Sequence, residues 1–200
     1  MTNCQLESIR KIRKNKDNLN PHDYSSLKQY AMDCIEFGIS SQKYGDGAEK
    51  IAQILCGFTK EVAEDKGDFV GGIEFKFSIA NNDGKINFVQ LRPSYKIDYY
   101  MLSFYDPCLE GDDLFETIIC RSEDLYALLP EYGGYAHGTV AENGVITEQN
   151  IKNNLSNGCE YALRPNTRGG NNKGARLLEE LRKINLIEEV KWTTVKNNLV

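Results

Sequence analysis

From Ile73 to Ile79 the chain alternates without a break: Ile73, Phe75, Phe77 and Ile79 are apolar, and Glu74, Lys76 and Ser78 between them are polar. Successive side chains on a strand point to opposite faces, so a period of two predicts a half-buried β-strand. Its polar face carries a carboxylate and an amine side by side, with Asp68 just upstream in Gly67-Asp68-Phe69-Val70-Gly71-Gly72. The paired glycines predict a hairpin, and its loop length decides what Asp68 faces. A three-residue loop, Val70-Gly71-Gly72, with a glycine in the left-handed conformation, sets Phe69 with Ile73 and Asp68 opposite Glu74. A two-residue Gly-Gly turn sets Asp68 opposite Phe75 and splits the polar groups. Both registers are open, and the first keeps the apolar face intact.

Around this strand the pattern changes period. Leu27, Tyr30, Ala31, Cys34 and Ile35 recur at helical spacing. They predict a helix opened by Pro21 with Asp23 or Ser25, running to about Phe37 and stopped by Gly38. A second helix is predicted from near Asp46 through Ala48, Ile51, Ala52, Leu55 and Cys56 to Gly57, with Glu49 off its apolar stripe. Asn81-Asn82-Asp83-Gly84 is a turn, and Ile86–Arg92 again alternates as a strand that Pro93 ends. The second half of the apolar run Ile97–Tyr105 reads as a buried strand, and Leu114–Cys120 as another. Ser122 reads as the cap of a short helix through Leu129, stopped by Pro130. Glu131–Thr139 reads as a glycine loop, and Thr147 as the cap of a helix to about Leu155. Cys159–Leu163 reads as a late strand and Lys173–Ile184 as a charged amphipathic helix. Helices and strands alternate with no linker and no repeat, which predicts one α/β or α+β domain over residues 1–200.

Composition narrows the class. Two hundred residues at 40% hydrophobic content suit one domain with a real core. No apolar run opens the chain and none approaches membrane-spanning length, so neither a signal peptide nor a transmembrane helix is expected. Cys4, Cys34, Cys56, Cys108, Cys120 and Cys159 form no Cys-x-x-Cys pair, and only His22 and His137 could assist them. A zinc site is therefore not expected, and reduced thiols in a cytoplasm are. A net charge of −5 argues against a non-specific nucleic-acid coat but leaves room for local basic patches around an acidic metal site. Arg10-Lys11-Ile12-Arg13-Lys14-Asn15-Lys16 reads either as a solvated helix face or as a phosphate-contacting arm.

Two carboxylates converging on one face repel unless a cation sits between them. Oxygen ligands of this kind suit Mg²⁺, which keeps several waters and coordinates substrate phosphate. A neighbouring lysine can orient or help deprotonate the attacking water and stabilise developing charge. Asp68, Glu74 and Lys76 thus suit metal-assisted hydrolysis of a phosphodiester. The plainer reading of Glu-x-Lys is an exposed strand edge kept in solution by its charges.

Asp68 followed by Glu74-Phe75-Lys76 on an alternating strand resembles the PD-(D/E)XK nuclease superfamily, and within it the type II restriction endonucleases. An acid-bearing helix (Glu49, in Tyr44-Gly45-Asp46-Gly47-Ala48-Glu49) precedes the hairpin and a strand with Gln90 and Arg92 follows it, in the order of that family's core. The resemblance covers about residues 44–105. It implies a restriction-endonuclease-like α/β core, a mixed central β-sheet flanked by helices. It further implies Mg²⁺ as cofactor, double-stranded DNA as substrate and a homodimer matching palindromic targets. Asp68, Glu74 and the Phe75 carbonyl would bind the metal, Lys76 would position or activate the water, and Glu49 would be an accessory acid. Gly67 stands where the motif has proline. Asp68 and Glu74 are closer in sequence than is usual, which keeps Asp65 open as an alternative ligand. DNA-recognition elements are expected within about 131–185, where Asn166, Arg168, Asn171, Asn172 and Lys173 crowd one loop with donors and acceptors. Arg92 suits a phosphate contact or an ion pair, and His137 a DNA contact or a structural hydrogen bond.

Overall fold

The computed structural model describes residues 19–108, 114–136, 146–153 and 159–187. In chain order the helices are α1 (Leu27–Glu36), α2 (Ser41–Cys56), α3 (Ser122–Ala127), α4 (Leu129–Tyr132), α5 (Glu148–Asn153) and α6 (Lys173–Lys183). The strands are β1 (Ile73–Ile79), β2 (Phe88–Leu91), β3 (Tyr99–Asp106), β4 (Leu114–Arg121), β5 (Gly134–Tyr135) and β6 (Tyr161–Leu163). Apart from Tyr99 at its start, every residue of β3 is buried, because β3 is the middle strand of a mixed sheet ordered β1-β3-β4. β1 runs parallel to it from Ile73↔Tyr99 to Ile79↔Tyr105, and β4 runs antiparallel from Arg121↔Tyr99 to Leu114↔Asp106. A second, antiparallel sheet is ordered β2-β6-β5.

Parity along β1 and β3 divides the core. Ile73, Phe75 and Met101 pack on one face against Leu27, Tyr30, Cys34, Ala48, Ile51 and Ala52 of α1 and α2. Tyr100, Leu102 and Phe104 pack on the other against the second sheet and Leu177, Leu178 and Leu181 of α6. The result is α/β, a small mixed sheet flanked by helices, with β1 left as a free edge between the two layers. No helix among the described residues is long and apolar enough to cross a membrane.

Several boundaries differ from expectation for local reasons. The side chain that caps α1 is Ser26, whose hydroxyl accepts the Gln29 N–H at 3.2 Å, while Pro21–Asp23 forms a separate 3₁₀ turn. α2 begins at Ser41, ahead of Asp46, although Gly45 and Gly47 disfavour helix. Tertiary packing overrides that preference: a Cβ at Gly47 would lie 2.0 Å from the Tyr30 hydroxyl, so only glycine lets α1 approach this closely. Pro130 does not stop a helix; it sits in the first turn of α4, where its missing N–H costs nothing. β2 does not alternate. Gln90 takes φ 59° and the register shifts, so that Phe88 and Leu91 are both buried.

Candidate active site

The turn before β1 takes the three-residue form. Phe69 N–H donates to the Ile73 carbonyl at 3.0 Å and Ile73 N–H returns to Phe69 at 3.3 Å, while Gly71 and Gly72 sit at φ 102° and 69°. This register brings Asp68 to the free edge of β1, where its Oδ2 accepts the Phe75 N–H at 2.9 Å. The N–H and C=O of one strand residue leave by the same edge, so the Phe75 carbonyl turns toward Asp68 as well. Glu74 and Lys76 share the polar face, with Lys76 Nζ 2.5 Å from Glu74 Oε1. From the other side α2 supplies Glu49, which ion-pairs with Lys60, and Lys60 Nζ also lies 3.6 Å from Asp68 Oδ1. These groups, Lys60 excepted, line one cleft of about 690 Å³ that follows the edge of β1.

Burial sets the electrostatics. Glu74 is only 6% exposed, and desolvation raises its carboxyl above the usual range; Lys76 opposes the shift and Asp68 adds to it. Glu49 is raised in the same way, first by burial, against the pull of Lys60 and with a push from Asp68. The Lys60 amine is held above its ordinary value: burial works to lower it, and Glu49 and Asp68 outweigh that. Acids gathered in a poorly hydrated cleft thus disfavour one another's charge, and two lysines offset part of the repulsion.

Asp68 Oδ1, the Glu74 carboxylate and the Phe75 carbonyl are hard oxygen donors. Mg²⁺ is commonly bound through one or two carboxylates with waters filling the remaining positions, and this donor set fits it. No group of three or more His, Cys, Asp or Glu among the described residues could hold a metal by itself, so Glu49 is not brought in as a third direct ligand. Asp65 faces elsewhere, pairing with Lys96 at 3.0 Å, and does not line the cleft.

The expected DNA-contacting residues divide. Arg92 lines the cleft but is held by Glu160 at 2.7 Å and lies over the Tyr95 ring at 4.9 Å, which is the ion-pair alternative. Asn166 is buried, donating to the Asp83 carbonyl at 3.1 Å and accepting the Arg168 N–H at 2.7 Å. Asn172 caps α6 by accepting the Ala175 N–H at 2.8 Å. The Arg168 guanidinium lies 3.9 Å from the fully buried Asp106. Asn171 and Lys173 are exposed at the start of α6. His137 and the basic cluster Arg10–Lys16 lie outside the described residues. Lys60 was not singled out by any sequence pattern, since it follows α2 in an irregular stretch. Tyr44, whose hydroxyl accepts the Ile79 N–H at 3.3 Å in the same cleft, carries no signal of its own in the stretch that leads to Glu49.

Comparison with family models, curated proteins and solved structures finds no match to this chain.

The Glu74 shift has a pH signature. Its folded carboxyl binds a proton more readily than the unfolded one, so between the two values the native state carries more protons and stability falls as pH rises. In EDTA, the wild type is expected to lose stability from just above pH 4.5 upward, relative to Glu74→Gln, in urea denaturation across that window. A relative gain with rising pH would show the shift to have the opposite sign.

Proposed function

We propose that the protein is a Mg²⁺-dependent endonuclease of the type II restriction class, hydrolysing double-stranded DNA at a short specific sequence. The observation that carries this reading is the three-residue turn: it delivers Asp68 to the Phe75 amide at 2.9 Å, beside a strand face bearing Glu74 and Lys76. In this reading α2, the glycine turn and β1 form part of a restriction-endonuclease-like core. Asp68, Glu74 and the Phe75 carbonyl would hold the ion, which would supply polarisation of the scissile phosphate and neutralisation of its charge. Lys76 leaves Glu74 enough to hydrogen-bond the attacking water and orient it in line with the leaving 3′ oxygen, giving 5′-phosphate and 3′-hydroxyl ends. Glu49, through Lys60, fixes the orientation of Asp68. A two-fold dimer in the cytoplasm would match protein symmetry to palindromic targets.

A second reading has an observation of its own. Lys60 and Lys76 already neutralise the carboxylates, as they would in a DNA-binding module that never takes up a metal.

The test is incubation with a large duplex of known sequence, in Mg²⁺ and in EDTA. Discrete Mg²⁺-dependent fragments are expected. A Mg²⁺-dependent smear, or preference for branched DNA, would move the enzyme to repair or recombination. Binding without cutting of several unmethylated DNAs, equal in EDTA, would replace the catalytic reading with the binding module.

A further inference from the structure

Most of the cations around the cleft are committed. Lys76 is on Glu74 at 2.5 Å, Arg92 is on Glu160 at 2.7 Å, and Lys60 is on Glu49. Lys85 and Arg164 differ: both line the cleft, both are exposed, and no described carboxylate pairs with either.

Backbone register explains why they come together. β2 and β6 pair antiparallel with Phe88 opposite Leu163, and the bridge Lys85↔Asn166 continues the same register beyond the strands. Ile86 N–H donates to the Pro165 carbonyl at 2.9 Å between them. Arg164 therefore stands opposite Asn87 and diagonal to Lys85. Side chains alternate along this ribbon, so Lys85, Asn87 and Arg164, all exposed and lining the cleft, share one face, and the buried Ile86, Phe88 and Leu163 share the other. Diagonal neighbours of an antiparallel pair are about 7–8 Å apart. Two cations set that far apart on one ribbon can each meet a separate phosphate of a DNA backbone.

The ribbon is also fixed in place. Thr167 N–H donates to the Gly84 carbonyl at 2.9 Å, and its hydroxyl, with one proton to give, lies between that carbonyl and the buried Asp106 carboxylate. Asn166 Nδ2 ties the same segment to the Asp83 carbonyl. A Cβ at Gly84 would lie 2.4 Å from Arg168 Cγ, so the turn and the loop are in close contact. The backbone that carries the two cations is thus held in place, and only their side chains have freedom to lose on meeting a polyanion.

We infer that Lys85 and Arg164 form a phosphate clamp on the wall of the cleft facing β1, gripping the DNA backbone beside the scissile position. The clamp rests on the reading of this cleft as the DNA-cleaving site, and it adds contacts that carry affinity without sequence preference. It also assigns Asn166 and Thr167 a supporting part: they hold the clamp in place.

The test is binding of the full-length protein to a short fluorescent duplex, titrated over a range of salt with Ca²⁺ in place of Mg²⁺. The variants are Lys85→Gln, Arg164→Gln and the double variant, beside Lys96→Gln, whose lysine pairs with Asp65 outside the cleft. Each phosphate contact contributes about 0.9 to the slope of log K against log salt. The single variants are expected to flatten the slope by about 0.9 and the double variant by about 1.8, equally on unrelated sequences, with Lys96→Gln unchanged. Unchanged slopes in the double variant, or no binding by the wild type, would overturn the clamp. Flattened slopes in a protein that never cuts DNA in Mg²⁺ would keep the clamp and remove the nuclease. Because both side chains are exposed, unchanged urea midpoints are expected for all four variants, and a lowered midpoint in the double variant with flattening absent on refolded protein would also count against it.

Discussion

Lys76→Met is expected to abolish Mg²⁺-dependent cleavage and, separately, to weaken the fold. On chemistry, a positioned acid–base group contributes about 10²- to 10⁴-fold, so the variant should fall at least a hundredfold in single-turnover cutting. On stability, Lys76 is the partner of a carboxylate whose side chain is 8% exposed. Removing one member of a mostly buried pair costs about 3–5 kcal/mol, because the remaining charge is left without compensation. The two effects separate in the double variant Lys76→Met with Glu74→Gln. It should recover most of the lost urea stability, since neither member of the buried pair stays charged. The chemical loss is read from single-turnover cutting by Lys76→Met at temperatures where it stays folded, because Glu74 is itself placed on the metal. Cutting by Lys76→Met within tenfold of wild type would remove the lysine from the reaction. Failure of the double variant to recover stability would instead mean that Lys76 contributes through packing of its aliphatic stem.

What the sequence made legible, and what it did not, follows from the range of the interactions. The turn before β1 was legible as a choice of two registers because its determinants are local, two glycines and an alternation; the Phe69–Ile73 pairing of the fold selects the three-residue one. The same holds for α6, where helical hydrophobic period and burial agree, and for β3 and β4, whose apolar runs become largely buried strands. The three-residue register sets Asp68 opposite Glu74, yet its carboxylate reaches around the edge to the Phe75 amide, a side-chain choice that backbone parity does not determine. The start of α2 was hidden because Gly45 and Gly47 are intrinsically poor helix formers, and the contact that favours glycine comes from Tyr30 on another helix. The left-handed Gln90 that breaks the alternation of β2 has no signal in composition. The polar loop around Asn166 looked like a reading surface since donors and acceptors were abundant. In the fold, Asn166, Thr167 and Asn172 satisfy backbone groups of the Asp83-Gly84 turn and of α6. Counting polar residues does not show which of them the chain itself uses, and Lys85 and Arg164 emerged only once the long-range register of β2 and β6 was in hand.

Gly67→Pro, which would install the residue that the nuclease motif carries, is expected to be the most damaging single substitution at the site. Gly67 adopts φ 87° and ψ −172°, a region open essentially to glycine alone. Proline fixes φ near −65°, so the chain could not enter the turn along its present path. Alanine meets a milder form of the same obstacle. Its Cβ would lie 2.7 Å from the Ile73 carbonyl oxygen and 2.9 Å from the carbonyl carbon, both backbone atoms that cannot rotate away. Residues forced into sparse backbone regions cost about 1–3 kcal/mol, and the overlap adds to that, so Gly67→Ala should lose about 3 kcal/mol in urea denaturation and Gly67→Pro more. The functional consequence follows from the next residue. Asp68 N–H donates to the Ile73 carbonyl at 2.9 Å, the same atom that an added Cβ would push against. Displacing it withdraws the Asp68 carboxylate from the Phe75 N–H and so takes apart the oxygen donor set. Calorimetric titration with Mg²⁺ or Mn²⁺ should therefore show binding weakened at least tenfold in Gly67→Ala, about 1.4 kcal/mol, even at temperatures where the variant stays folded. A folded Gly67→Pro that binds metal and cuts DNA would show that Asp68 does not depend on this turn. The glycine and the short spacing from Asp68 to Glu74 then belong together: a tight link of this kind is closed by a backbone conformation that proline cannot take, which on the proposed nuclease reading is why glycine stands where the motif has proline.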